Sequence, residues 1–466
     1  MSKATLLFVA SEVFPFAKSG GLADVAHSLP RALSGEYEVN VVMPLYSFVD
    51  REKYNITTMD VALNVSLDGV NYKIELYGCE SGGLDYLFIY NSLLCDREFL
   101  YGLPERGYND NALRFGIFNH AVRELLTYKK YEIVHLNDWQ SALVSLLIKE
   151  DKTIQTKSLF TIHNLAYQGV FDKEVLESIG ISKEYFNVNG LEFYGKVNFM
   201  KAGIAYADIV TTVSQTYAKE ILTPEFGCGL EGFLSYHSNK LNGIVNGIDS
   251  KHFSPSDDKA LVKPYDSVRG KKLNKKAYLK EIGFKESKKP LFIFIGRFTW
   301  QKGLDLLIES LPEIASLQCN IAILGEGEAR YHHTLKEIAD VHNNIHLDFG
   351  YDESKSHRMY AASDFLLMPS VYEPCGLNQL IAMRYGSVPI VHGVGGLKDT
   401  VDKKRGIVFL HQSKSSFKKA IVQALKLYEN SSRYKKIAQH NMRCDFSWDK
   451  SAKKYVKLYN KIREKI

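Results

Sequence analysis

The sequence predicts an α/β protein built from two doubly wound, Rossmann-like parallel sheets. Short apolar runs alternate with longer helical stretches, and two of those runs end in turns that combine glycine with cations. The chain of 466 residues is also too long for one compact core. Two domains of about two hundred residues each are therefore the simplest division.

The first glycine turn follows an apolar strand over residues 4–10, which is too short for a typical helix. Lys18, Gly20 and Gly21 come next, and a helix is predicted from about Leu22. Glycine lets the backbone approach a ligand, the helix start presents N–H groups, and lysine adds a mobile positive charge. The combination suits an anionic phosphate, although a glycine pair after a strand is more often only a tight turn.

A second turn of the same kind follows the apolar strand at 291–295 and precedes a helical run at 304–311. It contains Gly296, Arg297 and Lys302. Arginine can hold phosphate oxygens with a planar fork and lysine supplies a compact charge, so the two could neutralise a diphosphate without a metal. The alternative is a solvated pair of basic side chains. Two such turns in one chain favour the ligand-binding interpretation.

Further apolar runs predict strands that end in polar or glycine-bearing loops. They lie at residues 133–136, 158–162, 208–213, 321–324, 365–368 and 388–391. Ligands of open parallel sheets bind beyond the carboxyl ends of the strands. The side chains and loops found there are Asp138, His163, Arg297, Glu373 and the glycine loop 393–396.

The domain boundary is predicted just after the segment 244–249, because a polar stretch over residues 252–289 follows it. We expect domains over residues 1–247 and 248–445. Residues 446–466 are expected to contain a separate amphipathic helix. Its apolar positions at helical spacing are Trp448, Ala452, Tyr455, Val456, Tyr459 and Ile462.

Composition argues against several classes of function. The net charge of +6 is mild, and no nucleic-acid motif accompanies the dispersed lysines, so no nucleic-acid partner is expected. The six cysteines form no C-x-x-C pair, which argues against a zinc site or a disulfide scaffold and favours a reducing cytoplasm. No apolar run has the length of a signal peptide or a membrane span, so a soluble protein with no membrane partner is expected.

Seven segments together resemble the bacterial-type glycogen synthases, a family shared with plant starch synthases. They are residues 18–25, 108–111 with 114–115, 137–140, 161–169, 245–249, 296–303 and 373–377. The resemblance covers essentially the whole chain. It implies the GT-B fold, with a cleft between an acceptor-side domain and a nucleotide-sugar domain, and a C-terminal helix that crosses back to the first domain.

The same resemblance implies an activity. It is the transfer of glucose from ADP-glucose to the non-reducing end of an α-1,4-glucan such as glycogen, with retention of configuration and with no metal or cofactor. Two alternatives stay open. One is a retaining GT-B transferase that uses UDP-glucose or another acceptor, and the other is a glucan-binding relative without turnover.

Breaking a sugar–diphosphate bond builds negative charge on the nucleotide and positive charge on the sugar, so the site needs cations on one side and an anion on the other. Arg297 and Lys302 suit the diphosphate. The resemblance implies that Glu373 contacts the transferred glucose and steadies its charge. An ordinary loop carboxylate is the alternative for Glu373.

His163 has no second histidine or carboxylate at a metal-ligand interval on its own element, so spacing supports neither a metal ligand nor a general base. The resemblance implies that it contacts the glucose, with Asn164 and Asn246 completing the sugar pocket. Asp138 and Trp139 are candidates for the acceptor side. Trp139 can equally be a core residue.

The resemblance also implies that Tyr351 stacks on the nucleotide base, and that backbone N–H groups of three consecutive residues reach the phosphates. These three are Cys375, Gly376 and Leu377. The expected substrate-binding set is completed by Lys18, Gly20, Gly21, Asp24 and Asn378.

Three positions depart from patterns that are common among relatives. Asn137 stands where many relatives have histidine, and Asn378 replaces a common threonine. Ile381 occupies the place where many other retaining GT-B enzymes carry a second glutamate, although an apolar residue there is usual for this family. None of the three removes a charged group that is central to the chemistry.

Overall fold

The computed structural model describes residues 3–103, 106–350 and 352–464, and these residues form two compact units. Unit 1 contains the described residues up to Val213, together with Ala218–Asn246 and the chain from Trp448 onward. Unit 2 contains Gly247–Ser447 and the short segment Ser214–Tyr217. The sequence predicts a single boundary after residue 247, so it does not predict that this short earlier segment belongs to unit 2.

The strands alternate with helices through most of the described chain, as the sequence pattern predicts. The strands of the first half are β1 (Ala4–Val9), β2 (Tyr37–Pro44), β3 (Thr57–Leu67), β4 (Val70–Ser81), β5 (Leu84–Tyr90), β6 (Gly102–Leu103), β7 (Arg106–Gly107), β8 (Ile133–Asn137), β9 (Lys157–Ile162), β10 (Val170–Asp172), β11 (Glu192–Phe193), β12 (Lys196–Asn198), β13 (Ile209–Thr212) and β14 (Leu241–Gly243). Those of the second half are β15 (Leu291–Ile295), β16 (Asn320–Gly325), β17 (Ile345–Phe349), β18 (Phe365–Met368), β19 (Val388–His392) and β20 (Ile407–Phe409).

The helices connect these strands. Those up to residue 240 are α1 (Gly21–Leu33), α2 (Ser92–Cys95), α3 (Asn111–Tyr128), α4 (Leu143–Glu150), α5 (Val175–Ser178), α6 (Phe199–Tyr206), α7 (Gln215–Glu220) and α8 (Glu231–Tyr236). The remaining helices are α9 (Lys271–Glu281), α10 (Leu304–Ala315), α11 (Ala329–Val341), α12 (Glu353–Ala362), α13 (Asn378–Arg384), α14 (Gly395–Thr400), α15 (Lys414–Glu429), α16 (Ser431–Arg443) and α17 (Trp448–Arg463).

The main sheet of unit 1 has the strand order β14-β13-β9-β8-β1-β2-β5-β4-β3. Its strands are parallel from β14 to β5, and β4 and β3 extend it as an antiparallel edge. The chain proceeds from β1 in one direction and later returns to β8 on the other side. The loops after β1 and β8 therefore flank a switch point, which is where open parallel sheets bind ligands.

The sheet of unit 2 is entirely parallel, with the order β17-β16-β15-β18-β19-β20. This is the Rossmann order, and its switch point lies between β15 and β18. The predicted cation turn follows β15, and Glu373 follows β18. The topology thus places these two predicted features beside each other.

The central parallel strands of both main sheets are buried and consist of nearly continuous apolar residues, whereas the antiparallel edge strands β3 and β4 are partly exposed. In β1 the four residues from Leu6 to Val9 are fully buried, and in β15 the residues from Leu291 to Ile293 are fully buried. Each unit has its own apolar core. Within the described residues, no helix is both long enough and apolar enough to cross a membrane.

Helix α17 packs against α1 and belongs to the core of unit 1. Tyr455 and Tyr459 are completely buried. The Tyr459 hydroxyl lies 2.7 Å from His135 Nδ1, and the other ring nitrogen of His135 lies 2.7 Å from the Thr161 hydroxyl. A buried series of hydrogen bonds therefore connects the C-terminal helix to β8 and β9.

We expect Tyr459→Phe to lower the free energy of unfolding of unit 1 by about 1–3 kcal/mol, because it leaves a buried His135 nitrogen without its partner. Denaturant unfolding monitored by circular dichroism measures this. Tyr86→Phe, in the core of the same unit, is the matched control, since no hydrogen-bond partner of the buried Tyr86 hydroxyl is found among the described residues. Equal losses in the two variants would show that the His135 contact contributes nothing.

Candidate active site

The polar centre of unit 2 is an ion pair between Lys302 and Glu373 at the switch point. Lys302 Nζ lies 2.9 Å and 2.7 Å from the two carboxylate oxygens of Glu373. The Ser370 hydroxyl donates to one of those oxygens at 3.0 Å. Glu373 is only 4% exposed, so its charge depends on these partners in place of water.

Two glycines allow the close backbone contacts that hold Lys302 and Glu373 in place. Gly303 has φ +72°, and a Cβ atom there would lie 1.9 Å from the Pro369 carbonyl oxygen. The turn after β15 can therefore lie directly against the segment after β18. Gly395 has φ +45°, and a Cβ atom there would lie 1.9 Å from the Glu373 carbonyl oxygen. The predicted glycine loop thus supports the backbone of Glu373.

The loop from Cys375 to Leu377 is held by Gln379, which the sequence analysis did not single out. Its Nε2 donates to the carbonyl oxygens of Cys375 at 3.1 Å and of Gly376 at 2.8 Å. Only the position of Gln379 on α13 could have indicated this role.

The described structure gives the two remaining predicted side chains of unit 2 different surroundings. Asn378 Nδ2 donates to the Ile295 carbonyl oxygen at 2.6 Å, which ties the start of α13 to the end of β15. Asn378 therefore has a structural contact, and its predicted role in substrate binding stays a prediction. Arg297 is exposed, and no ion pair to it is present among the described residues. Tyr351, the predicted base-stacking residue, lies outside the described residues.

In unit 1, Asp138 follows β8 and has an unusual backbone conformation with φ +56°. Its Oδ1 accepts a hydrogen bond from the His163 N–H at 2.8 Å, which joins the ends of β8 and β9. Burial raises the pKa of Asp138 to about 7, against the opposing effect of backbone N–H groups of His163 and Asn164. A carboxyl group with such a pKa is typical of functional sites.

The side chain of His163 is oriented by Asn137. Asn137 Nδ2 donates to the Val9 carbonyl oxygen at 2.9 Å, so its Oδ1 faces His163 Nε2, also at 2.9 Å. His163 Nε2 must then carry the hydrogen, which leaves Nδ1 as an acceptor. Burial lowers the pKa of His163 to about 3, so the ring is neutral at physiological pH. The departure at Asn137 thus has a defined role as the partner of His163.

Trp139 lies in the core and is only 8% exposed. Its ring makes edge contacts with Phe115 and Phe171 at centroid distances of 4.9 Å and 5.7 Å. A Cβ atom on Gly169 would lie 2.5 Å from the indole, so the Gly169 backbone covers the ring closely. These contacts fit the core alternative for Trp139, and its stacking on an acceptor sugar stays a prediction.

The first glycine turn contains an internal anion that the sequence analysis missed. The buried Glu12 carboxylate accepts a hydrogen bond from the Ser19 N–H, and burial raises the pKa of Glu12. Gly20 precedes α1 in an extended conformation, and Gly21 is the first residue of α1. Lys18 lies 2.7 Å from Asp24 Oδ1. Part of the expected phosphate-binding backbone is thus already occupied by a carboxylate. In the sequence, only the position of Glu12 just after β1 could have indicated that it contacts this turn.

The two predicted sugar-binding asparagines differ in their contacts. Asn246 is 7% exposed, and its buried Oδ1 has no hydrogen-bond partner among the described residues. Asn164 Oδ1 accepts a hydrogen bond from the Ala166 N–H at 3.1 Å. An unsatisfied buried acceptor is rare in native proteins, so Asn246 is the stronger candidate for a ligand contact.

A cavity of about 610 Å³ in unit 1 adjoins the first glycine turn. Its lining includes Lys18, Phe48, Phe99, Tyr101 and Arg106. Phe48 and Phe99 are substantially exposed for large apolar side chains. Exposed aromatic rings beside charged groups are suited to a ligand with both apolar faces and polar edges.

Two protein-family models match the chain. The starch synthase catalytic domain model matches residues 5–236, and the model of glycosyl transferases group 1 matches residues 275–441. A glycogen synthase of Aquifex aeolicus (strain VF5) is 44% identical to the chain, over 98% of this chain and 99% of that protein. One from Geotalea daltonii is 40% identical, over 99% of each.

The chain also resembles a solved structure, the catalytic domain of starch synthase IV from Arabidopsis thaliana bound to ADP and acarbose. The TM-score is 0.92 at 32% identity, covering 99% of this chain and 100% of that one. The two Rossmann-like sheets and the matched family models define the chain as a glycosyltransferase of the GT-B class. It belongs to the glycogen synthase family.

We expect the His163 ring to be neutral between pH 5 and pH 8, because burial lowers its pKa to about 3. The hydrogen should reside on Nε2, the nitrogen that faces Asn137. Nitrogen-15 NMR of histidine-labelled protein distinguishes the tautomers and follows protonation. The exposed His333 ring, recorded in the same spectra, is the internal control. A His163 signal that titrates near 6.5, or a ring with its hydrogen on Nδ1, would contradict this assignment.

Proposed function

We propose that the protein is a cytoplasmic enzyme that transfers glucose from ADP-glucose to the non-reducing end of an α-1,4-glucan, with retention of configuration. The Lys302–Glu373 pair at the switch point of unit 2 carries this proposal, since it places a cation and a buried carboxylate where a nucleotide sugar should bind. Full-length similarity to glycogen synthases supports the reaction, and the ADP bound to the starch synthase IV structure supports an adenine nucleotide.

The leaving ADP acquires negative charge as the glycosidic bond breaks. Arg297 is exposed and can turn its guanidinium toward a diphosphate, while Lys302 provides a second charge beside it in the same turn. Backbone N–H groups of Cys375, Gly376 and Leu377 are proposed to bind the phosphate oxygens. Such donors stabilise the transition state most because the charge grows there.

The transferred glucose acquires positive charge in the same step. We assign Glu373 to that side, because its carboxylate is buried, paired with Lys302, and hydrogen-bonded by Ser370. In unit 1, the acceptor nitrogen Nδ1 of His163 is suited to accept a hydrogen bond from a sugar hydroxyl. So is Asn246 Oδ1, for which the described residues provide no hydrogen-bond partner. Hydroxyl contacts of this kind orient the sugar ring.

A retaining reaction is proposed to proceed with departure of ADP and attack of the acceptor on the same face of the sugar. The acceptor hydroxyl forms the new bond to the anomeric carbon while the bond to the diphosphate breaks. The leaving phosphate oxygen takes the proton of that hydroxyl. The residues named above supply charge stabilisation, and none of them is required as a covalent nucleophile.

The glucan acceptor is assigned to unit 1. Asp138 has a carboxyl group that can hold sugar hydroxyls, and its raised pKa makes it half-protonated near neutrality. The cavity beside Lys18 offers Phe48 and Phe99 as apolar surfaces for sugar rings. These two rings are far more exposed than Trp139 and are therefore the preferred candidates for stacking on the glucan.

The decisive experiment offers ADP-glucose and UDP-glucose separately with glycogen and measures the nucleoside diphosphate released. We expect glycogen-dependent ADP release, with kcat/KM for ADP-glucose at least about tenfold above that for UDP-glucose, which corresponds to about 1.4 kcal/mol of discrimination. Reactions without glycogen are the control for hydrolysis. A preference for UDP-glucose would overturn the donor assignment, and no release from either donor would favour a glucan-binding relative without turnover.

A further inference from the structure

Three potential metal ligands meet at the start of α12. One ligating atom from each of His252, Glu353 and His357 lies within 4.8 Å of the other two. His252 Nε2 is 3.1 Å from Glu353 Oε1. Glu353 and His357 are four residues apart on α12, so their side chains project from the same face of the helix. All three residues belong to unit 2.

His357 supplies an independent sign that the cluster accommodates a ligand. It is 5% exposed, and its Nδ1 is hydrogen-bonded to Asp258 Oδ2 at 2.8 Å. Its Nε2 is buried and has no hydrogen-bond partner among the described residues. A buried polar atom without a partner costs stability, and coordination of a metal ion would satisfy it.

Asp258 holds His357 in the form that binds metals. The Asp258 carboxylate also accepts hydrogen bonds from the Tyr385 hydroxyl at 2.5 Å and from the Ala260 N–H at 2.9 Å. Since the Asp258 oxygens accept hydrogen bonds from these two donors, His357 Nδ1 is assigned as the third donor to this carboxylate, which directs the lone pair to Nε2. A carboxylate behind a metal-binding histidine is a common arrangement in metalloproteins.

We propose that His252, Glu353 and His357 bind one divalent transition metal ion. Two imidazole nitrogens and one carboxylate oxygen are ligands suited to Zn²⁺ and its neighbours, whereas Mg²⁺ and Ca²⁺ prefer oxygen alone. His252 and Glu353 are separated by 101 residues, so the ion would cross-link the segment that begins unit 2 to α12. An ion that binds only the folded chain stabilises it. The site is therefore assigned a structural role that is separate from glucosyl transfer.

No metal site is predicted from the sequence, because the three ligands do not lie close together in the chain. His252 is too distant in sequence from α12 to be associated with it. Glu353 and His357 alone form a pattern that also occurs on ordinary exposed helices. His333 and Glu337 on α11 are such a pair, with His333 Nε2 3.2 Å from Glu337 Oε1 and both side chains exposed. The described residues contain no other group of three potential ligands, so that pair serves as a matched control.

The test uses untagged, full-length protein that has been stripped with a chelator and then titrated with ZnCl₂ at pH 7.5. Isothermal titration calorimetry is expected to show one equivalent of Zn²⁺, and the melting temperature is expected to rise with Zn²⁺ but not with equimolar Mg²⁺. His252→Ala and Glu353→Gln should each weaken Zn²⁺ binding by about 100-fold or more, since even the loss of a partner behind a ligand costs about 10–100-fold. His333→Ala and Glu337→Gln should leave the affinity unchanged.

The proposal fails if stripped protein binds less than one equivalent of Zn²⁺, or if His252→Ala and Glu353→Gln bind it as tightly as the original chain. Circular dichroism of the two variants shows that each is folded, which is expected because neither side chain is fully buried. Neither outcome depends on turnover. Failure of the metal-site proposal therefore does not affect the proposed glucosyl transfer. Failure of the proposed glucosyl transfer likewise does not affect the metal-site proposal.

Discussion

The buried ion pair between Lys302 and Glu373 is the interaction on which the architecture of unit 2 depends. A carboxylate that is only 4% exposed is unfavourable unless a cation and hydrogen-bond donors surround it, and removing one partner of a buried pair typically costs about 3–5 kcal/mol. The parallel order of the sheet brings the two loops together, and Gly303 and Gly395 allow the backbones to approach closely enough. Glycine is required at both positions because a side chain there would overlap a carbonyl oxygen.

Unit 1 also contains buried ionisable groups, and burial shifts their pKa values. Asp138 has a pKa raised to about 7 and His163 one lowered to about 3, so burial moves both groups toward their neutral forms. Asn137 then decides which nitrogen of His163 is an acceptor. Together these contacts leave hydrogen-bonding groups that suit the proposed sugar without concentrating charge. Charge is instead supplied where it is needed for the proposed diphosphate, at Arg297 and Lys302.

The fold was largely predictable because buried parallel strands are short apolar runs, and the two glycine turns mark their carboxyl ends. The apolar face of α17 was equally visible from its spacing. Contacts between distant residues were not predictable. The sequence leaves Trp139 equally open between the acceptor side and the core, because it does not show that Phe115 and Gly169 contact the indole. Glu12 was missed for the same reason, since its backbone partner Ser19 comes from the fold, and the contact of Asn378 with Ile295 was equally invisible in the sequence. The residue predicted to contact the nucleotide base, Tyr351, stays a prediction.

A double-mutant cycle on turnover tests most directly whether Lys302 and Glu373 work as one unit in glucosyl transfer. The variants are Lys302→Met, Glu373→Gln and the combination, assayed by kcat with ADP-glucose and glycogen. Each single change should lower kcat by about 10²–10³, and the double variant should be no more than about threefold slower than the slower single one. Lys418→Met and Glu313→Gln, which disrupt an exposed pair of the same type, should leave kcat unchanged. Near-normal turnover in either single variant, or losses that simply multiply in the double variant, would contradict the account.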